Sequence, residues 1–449
     1  MGGIVCVTPK TAVYTNIRIP RKGVDKKEDG SCCGVMPITV YQFPKARGLT
    51  LLKAEDVTLL NLRPDTLEVA RRQDMLWICG MWLKNKAQPG WSGFMDSTST
   101  ASRMSYEMSG VLPLPFANLD PGNPSTIYTS LLFAAEHSKK YNQSNCIVTF
   151  DQPLYAKAMD IVMGADKKNP VASVVVRLGG FHLLMSFMGA IGTIMSGSGI
   201  EAVWETIYSS NTVVHMMSGH AYARALRAHF LTQLAIAVIC LEKSILSEDT
   251  VRDVTTSYDA LLRDDVKITD IAELKHLRDM VASMDAKLTS LSSDSRTAKL
   301  WVQYYHQVDI IRIFIRAERC GDWKLHLYAV QQMLPYLHAA GHLHYAKSAH
   351  MYLQEMNKLE QILTPSHYQR FVVDGCFTVR RSDKHWSGVW SDMTIEQVLM
   401  RAMKCTGGLT HGRGLSDATL NRLVNAMAVS TAVSTAVEVF TGVVSTSSE

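Results

Sequence analysis

Two acidic positions and one histidine stand where side chains can do chemistry. Asp151 follows Cys146-Ile147-Val148-Thr149-Phe150, a β-branched run long enough for one buried strand. A carboxylate at the C-terminal end of such a strand sits where open α/β sheets place their ligands. The residues that follow, Gln152-Pro153-Leu154, equally allow Asp151 to do no more than cap the next helix. His182 closes Gly179-Gly180-Phe181-His182, after a second apolar run from Val171 to Leu178 and before an apolar helix. Paired glycines permit a tight turn and close backbone approach. His182 reads either as a satisfied core histidine or as a site residue beside Asp151.

The segment Trp390-Ser391-Asp392-Met393-Thr394-Ile395-Glu396-Gln397 offers two more carboxylates. Four-residue spacing places Asp392 and Glu396 on one helix face, while Ile395, Val398, Leu399, Ala402 and Met403 bury another side. Mg²⁺ or Mn²⁺ takes oxygen ligands from one or two carboxylates plus substrate phosphates, so Asp151, Glu396 and Asp392 are the candidate metal ligands. The competing reading is a helix start, with Asp392 or Thr394 as cap and Gln397 closing a capping box.

Other patterns carry less. Gly197-Ser198-Gly199-Ile200-Glu201-Ala202 has dinucleotide-fingerprint spacing but follows a helix, so no βα turn would hold a pyrophosphate. His338 and His342 have zinc-ligand spacing, yet Gly341 ends the helix between them. Arg312, Arg316 and Arg319 with Asp309 and Glu318 read as a salt-bridged helix face. The glycine-rich loop 407–414 is basic; it reads as a helix linker or as a phosphate contact through Arg413, with His411 beside it.

The elements that position these residues divide the chain. Trp91 to Met95 and Gly110 to Phe116 read as extended, and Thr126 to Tyr141 as a helix capped by Ser125. The strands ending at Phe150 and Leu178, joined by a helix over Leu154 to Met163, read as parallel neighbours in a sheet covered on both faces. From about 181 to 360 nearly every segment is helical: Val213 to Leu246, Asp270 to Leu288, Ala298 to Arg319, Leu325 to Leu337 and His344 to Leu363. Phe371 to Val379 reads as extended, and Thr394 to Lys404 and Ser416 to Val429 as helices.

Composition agrees with a folded protein: of 449 residues, 47% are hydrophobic and 19% charged. A net charge of +5 sets up no strong global field, so any DNA contact must come from a local patch. The basic stretch Arg18, Arg21, Lys22, Lys26, Lys27 reads as a solvated loop, a nuclear import signal or a phosphate contact. Nine cysteines without a CxxC pair favour a reducing intracellular compartment. The apolar run Phe181 to Met195 is shorter than the ~20 residues a bilayer span needs and reads as a buried helix.

Taken in order, these pieces resemble the DDE transposases of the hAT group, in which the last two acids are separated by a helical insertion. The wording Thr149-Phe150-Asp151-Gln152-Pro153-Leu154, Gly179-Gly180-Phe181-His182, Arg316-Ala317-Glu318-Arg319, Arg380-Arg381-Ser382-Asp383 and Ile395-Glu396-Gln397-Val398-Leu399-Met400-Arg401 also resembles a family of transposon-associated proteins of unsettled chemistry. The resemblance implies an α/β fold: a ribonuclease H-like mixed sheet core with a large all-helical insertion. Its parts would be an N-terminal region 1–90, a first core part 91–183, the insertion 184–370, a second core part 371–430 and a weakly ordered tail 431–449. It implies Asp151 as second acid, Glu396 as third, His182 near them, and Asp96 as first acid at the strand near 95. The chain has Gly179 and Gly180 where related patterns carry a cysteine or an acid. The implied activity is Mg²⁺- or Mn²⁺-dependent cleavage or strand transfer of DNA, in an active or a degenerate protein, in the nucleus, with self-association as an option and no membrane. The rivals are an inactive scaffold that binds DNA or protein through the helical block, and a small-molecule enzyme on an unrelated sheet.

Overall fold

The computed structural model describes residues 1–10, 35–83, 88–99, 106–141, 143–244, 246–263 and 265–397. The basic stretch 18–27, the apolar positions from Val398 onward, the helix expected at 416–429, and His411 and Arg413 lie outside the described residues.

Two parallel strands, Cys146–Phe150 and Val174–Leu178, pair in register from Cys146 opposite Val174 to Phe150 opposite Leu178. The crossover between them is the helix Gln152–Met163. Before them comes the helix Pro124–Lys140, whose cap is Asn123 and not Ser125: the Asn123 side chain accepts from the Ser125 amide, and Pro124 occupies the first helical turn, where its missing N–H costs nothing. After them comes Gly180–Met195, buried on most of its surface.

The ribonuclease H-like mixed sheet is not there. Among the described residues the strands pair only in twos. Ile4–Val7 runs antiparallel to Gly110–Pro113, Val35–Met36 parallel to Phe116–Ala117, and Val379–Arg380 antiparallel to Gly388–Val389. The strand expected at 91–95 is the start of a helix, Trp91–Ser99, and the extended run expected at 371–379 begins as the end of a helical turn, Gln369–Val373, passes through a turn and becomes strand only at Val379. The reason is physical: an apolar β-branched run shows that a strand is covered, not by what. Here helices do the covering, and the fold is mainly helical.

The helical block follows the expected spans with breaks at glycine. Ser210–Met217 and Tyr222–Glu242 are separated at Gly219, whose φ of +79° a side chain would resist. Arg296–Cys320 ends at Gly321 and Trp323–Ala339 just before Gly341, both also left-handed. Tyr222–Glu242 is long and apolar enough to cross a membrane, and half of its apolar stretch is buried against the protein. One hydrophobic cluster joins both regions, containing Phe150, Val176 and Leu178 together with Phe314, Met333 and Tyr352.

The arginines on Arg296–Cys320 do not form one salt-bridged face. Arg312 is 1% exposed, and its guanidinium lies 4.9 Å from the Trp77 ring centre and 5.2 Å from that of Phe230, a cation–π cage that stabilises by up to ~2 kcal/mol per desolvated contact. Arg316 pairs with Asp74. Glu318 turns inward to the buried Arg177, with 3.1 Å between Nη2 and Oε1, and His326 Nδ1 stands 3.2 Å from the same oxygen. Arg177 also donates to the Phe377 carbonyl at 2.6 Å, and His326 Nε2 meets the Tyr352 hydroxyl at 2.9 Å. Burial pushes His326 below the ordinary histidine range against the pull of Glu318, so the network is one ion pair with neutral neighbours.

Removing one member of such a pair leaves a buried charge uncompensated. Glu318→Ala should therefore cost about 3–5 kcal/mol in denaturant unfolding, and Glu318→Ala with Arg177→Met should recover much of it. A loss below about 1 kcal/mol for the single variant would show that the pair is not closed in solution.

Candidate functional site

Asp151, His182, Asp392 and Glu396 line one cleft of about 650 Å³. They arrive from three segments: the end of strand Cys146–Phe150, the first turn of Gly180–Met195, and the short helix Ser391–Ile395 with the residue that follows it. The floor is strand Cys146–Phe150, and Ile4 and Cys6 of the N-terminal strand also line the cleft.

Asp392 is the joint. One oxygen, Oδ1, accepts from the Phe181 amide at 3.2 Å, and Oδ2 accepts from the His182 amide and from His182 Nδ1, both at 3.1 Å. Its side chain is only 8% exposed. The first amides of a helix lack intrahelical partners and carry the positive end of its dipole, and a carboxylate from 210 residues away satisfies both needs. Asp392 thus caps a helix, though not the one that the sequence suggested.

The two glycines follow from this docking. A Cβ on Gly179 would fall 2.5 Å from Asp392 Oδ2, and one on Gly180 would fall 2.4 Å from Trp390 Cδ1. Their absent side chains are the space into which the 390–392 segment settles. Trp390 also stacks on Phe314 at 5.8 Å, which seats the segment on the helical block.

A carboxylate only accepts, so the shared hydrogen sits on His182 Nδ1 and the other ring nitrogen, Nε2, is left for chemistry. The hydrogen bond to Asp392 raises the His182 pKa above its ordinary value; burial opposes this, and the charges of Asp392, Asp151 and Glu396 add to it. The result is a histidine that keeps its proton to a higher pH than a free imidazole, which suits a general acid.

Asp151 is less well served. Its backbone carbonyl accepts from Tyr155 at 2.8 Å, but its side chain makes no capping hydrogen bond. A capping carboxylate accepts from the second or third helical amide, and here the second residue is Pro153, which has none. Oδ1 is buried without a partner. Burial pushes the carboxyl above the usual carboxylate range; the charge of His182 and the Leu154 amide pull it down, and Asp392 pushes it further up.

Asp96 is not at this site. It lies in the helix Trp91–Ser99 and does not line the cleft. The third acid that does line it is Asp392, already committed to a helix end. Among the described residues no group of three or more His, Cys, Asp or Glu side chains is placed to hold a metal ion. His338 and His342 flank the turn at Gly341 and form no such group either. Cys146 and Cys376 also line the cleft, and burial keeps both thiols protonated, which removes them as nucleophiles.

Two neighbours escaped the sequence reading. Arg177 interrupts the apolar run Val174-Val175-Val176, a visible anomaly, and lends positive charge within reach of Asp392. Tyr345, pushed up to about 12 by burial with the charges of Asp151 and Asp392 adding, lies near both acids. No pattern around Tyr345 marked it.

The His182–Asp392 contact has a pH signature. A histidine whose folded pKa is raised stabilises fully below its unfolded pKa near 6.5, and that gain is lost as pH rises through the raised folded value. In a ring-proton NMR titration, Asp392→Asn should lower the His182 pKa, and Gly179→Ala should lower it in the same direction by displacing Asp392. An unchanged midpoint in both variants would remove the contact.

No curated protein and no solved structure matches this chain. The model of a family described as a domain of unknown function, DUF8702, matches residues 90–449, a span that contains Asp151, His182, Asp392 and Glu396. Covering most of the sequence, that match shows that the chain belongs to the DUF8702 family.

Proposed function

We propose that the cleft processes phosphodiesters: a transposon-derived protein that cleaves DNA or transfers its strands with the help of Mg²⁺ or Mn²⁺, in the nucleus. The observation that carries this reading is the convergence of Asp151, His182 and Glu396 on one cleft from positions as far apart as 151 and 396.

The donor set suits one hard cation better than two. Asp151 has a buried oxygen without a partner, and Glu396 lines the same cleft, which together provide the one or two carboxylates that Mg²⁺ takes alongside water and substrate phosphate. Asp392 is withdrawn from that role by its three hydrogen bonds. A bound ion would supply the positive charge that activates an attacking water or 3′-hydroxyl and steadies the leaving oxygen.

The chain's own residues do the rest. Asp392 fixes the His182 ring through Nδ1, and Nε2 delivers a proton to the leaving oxygen or takes one from the attacking oxygen. Asp151, destabilised as an anion by burial, is relieved by any positive charge brought next to it.

A second reading has its own support. With Asp392 spent on a helix end and no group of three ligands among the described residues, the same architecture suits an inactive scaffold that binds DNA or protein through its helical block.

Nicking of supercoiled plasmid separates the two. Wild type with Mg²⁺ or Mn²⁺ should nick, and Asp151→Asn and His182→Gln should each lower the rate about 10²–10⁴-fold, the usual range for a lost acid or base. Equal rates in wild type and Asp151→Asn would remove Asp151 from the mechanism, and DNA binding without nicking by any protein would leave the scaffold.

A further inference from the structure

The helix Tyr222–Glu242 buries one side only. Ala225, Ala228, Leu234, Ala237 and Leu241 face the core, and Trp204 Nε1 donates to Thr232 Oγ1 at 2.9 Å, which seats the short helix Ile200–Glu205 along one flank. The outward side of a surface helix is ordinarily polar. Glu248–Leu262, next in the chain, keeps that rule, with Arg252, Asp253, Thr256 and Asp259 exposed. Tyr222–Glu242 breaks it: Leu231 is 41% exposed and Ile239 50%, Ala235 between them is exposed too, and Val238 is half-buried. Val203 on the flanking helix and Ile207 just after it are exposed as well.

Charge of opposite sign stands at the two ends of this stripe. Arg227 lies one helical turn before Leu231 and Arg224 another turn back, while Glu242 lies one turn beyond Val238. All three are exposed, and none takes part in an ion pair among the described residues. An exposed apolar stripe rimmed by unpaired charge marks a place where something docks.

The order of the charges selects the occupant. A second copy laid parallel would set arginine against arginine. Turned end for end, it brings its Glu242 against Arg227, and two-fold symmetry makes that pair twice. The same alignment puts Leu231 opposite Val238 and places Ala235 beside the axis, where a single methyl lets two helices approach closely. The stripe is thus complementary to itself, as a two-fold contact requires. An anionic lipid surface would attract Arg224 and Arg227 but repel Glu242.

We infer that Tyr222–Glu242 is a dimer contact, at which two copies of this chain pack the helix antiparallel about Ala235. The inference goes beyond the phosphodiester reading of the cleft and does not depend on it.

Sedimentation velocity of the full chain over a concentration series tests the contact, with wild type expected to pass from monomer to dimer. Ala235→Arg brings two like charges to the axis and should raise the dissociation constant on the order of a hundredfold. Arg227→Glu and Glu242→Arg should each raise it on the order of tenfold, because both symmetric pairs turn repulsive. An equimolar mixture of those two variants should dimerise again, since each supplies the charge that the other lacks; loss of fold could not produce that rescue. Thermal melts by circular dichroism check folding, and where Ala235→Arg melts early, Ile239→Ser is held to the same criterion. A wild type that stays monomeric, self-association unchanged in the folded variants, or no pairing in the mixture would overturn the proposal. So would flotation of monomeric wild type, but not of Ala235→Arg, with vesicles of neutral and anionic phospholipid, which would assign the stripe to a membrane surface.

Discussion

Everything at the cleft depends on one carboxylate satisfying the open end of a helix. Asp392 takes the amides of Phe181 and His182 and the ring N–H of His182, and without it three donors would be left in a half-buried place. An unsatisfied buried donor costs about 1–3 kcal/mol, more for a charged group, so this junction outweighs most other contacts of the 390–397 segment. It is also what carries Glu396 to the cleft, because Glu396 continues in helical backbone directly from Ser391–Ile395.

The junction is backed by the core. Arg177, opposite Thr149 in the parallel pair, reaches Glu318 on the long helix Arg296–Cys320 and the Phe377 carbonyl just before the strand Val379–Arg380. That strand pairs with Gly388–Val389, and Trp390 and Asp392 follow at once. The path from the buried ion pair to the cleft therefore runs through a few short elements with little freedom to slide. Arg177 adds a through-space term, since its charge is felt at Asp392 and acts against the mutual repulsion of the acids.

Parts of this were legible in the sequence and parts were not, for physical reasons. Cys146–Phe150 and Val174–Leu178 announced themselves because consecutive β-branched residues suit only a covered strand. The number of their neighbours did not, since a helix and a strand cover an apolar face equally well. Trp91 to Met95 misled for the same reason: a short apolar run carries no period, and here it begins a helix, taking Asp96 away from the cleft. Gly179-Gly180 signalled a close approach correctly but could not name the visitor, which comes from Trp390 and Asp392. Arg312, Arg316 and Arg319 with Asp309 and Glu318 read as one salt-bridged face, yet Arg312 enters an aromatic cage, Arg316 goes to Asp74 and Glu318 turns inward to Arg177, because helical spacing groups residues on a face without saying which elements pack against it.

Asp151 bears most directly on what the cleft is for. If it served only as a helix cap, the sequence would be expected to offer it amides, yet Pro153 takes away one of the two it could reach. The hydroxyl and amide side chains that satisfy other caps here, such as Asn123, Ser247 and Ser295, each receive their bond from the backbone. The Asp151 side chain makes no such capping bond, and it is buried as well, with the charge of Asp392 raising its cost further. His182 and the Leu154 amide relieve part of that cost, and something positive arriving from outside the chain, or a bound proton, relieves more. Either arrangement makes the carboxylate responsive to what enters the cleft, as a purely structural cap would not be.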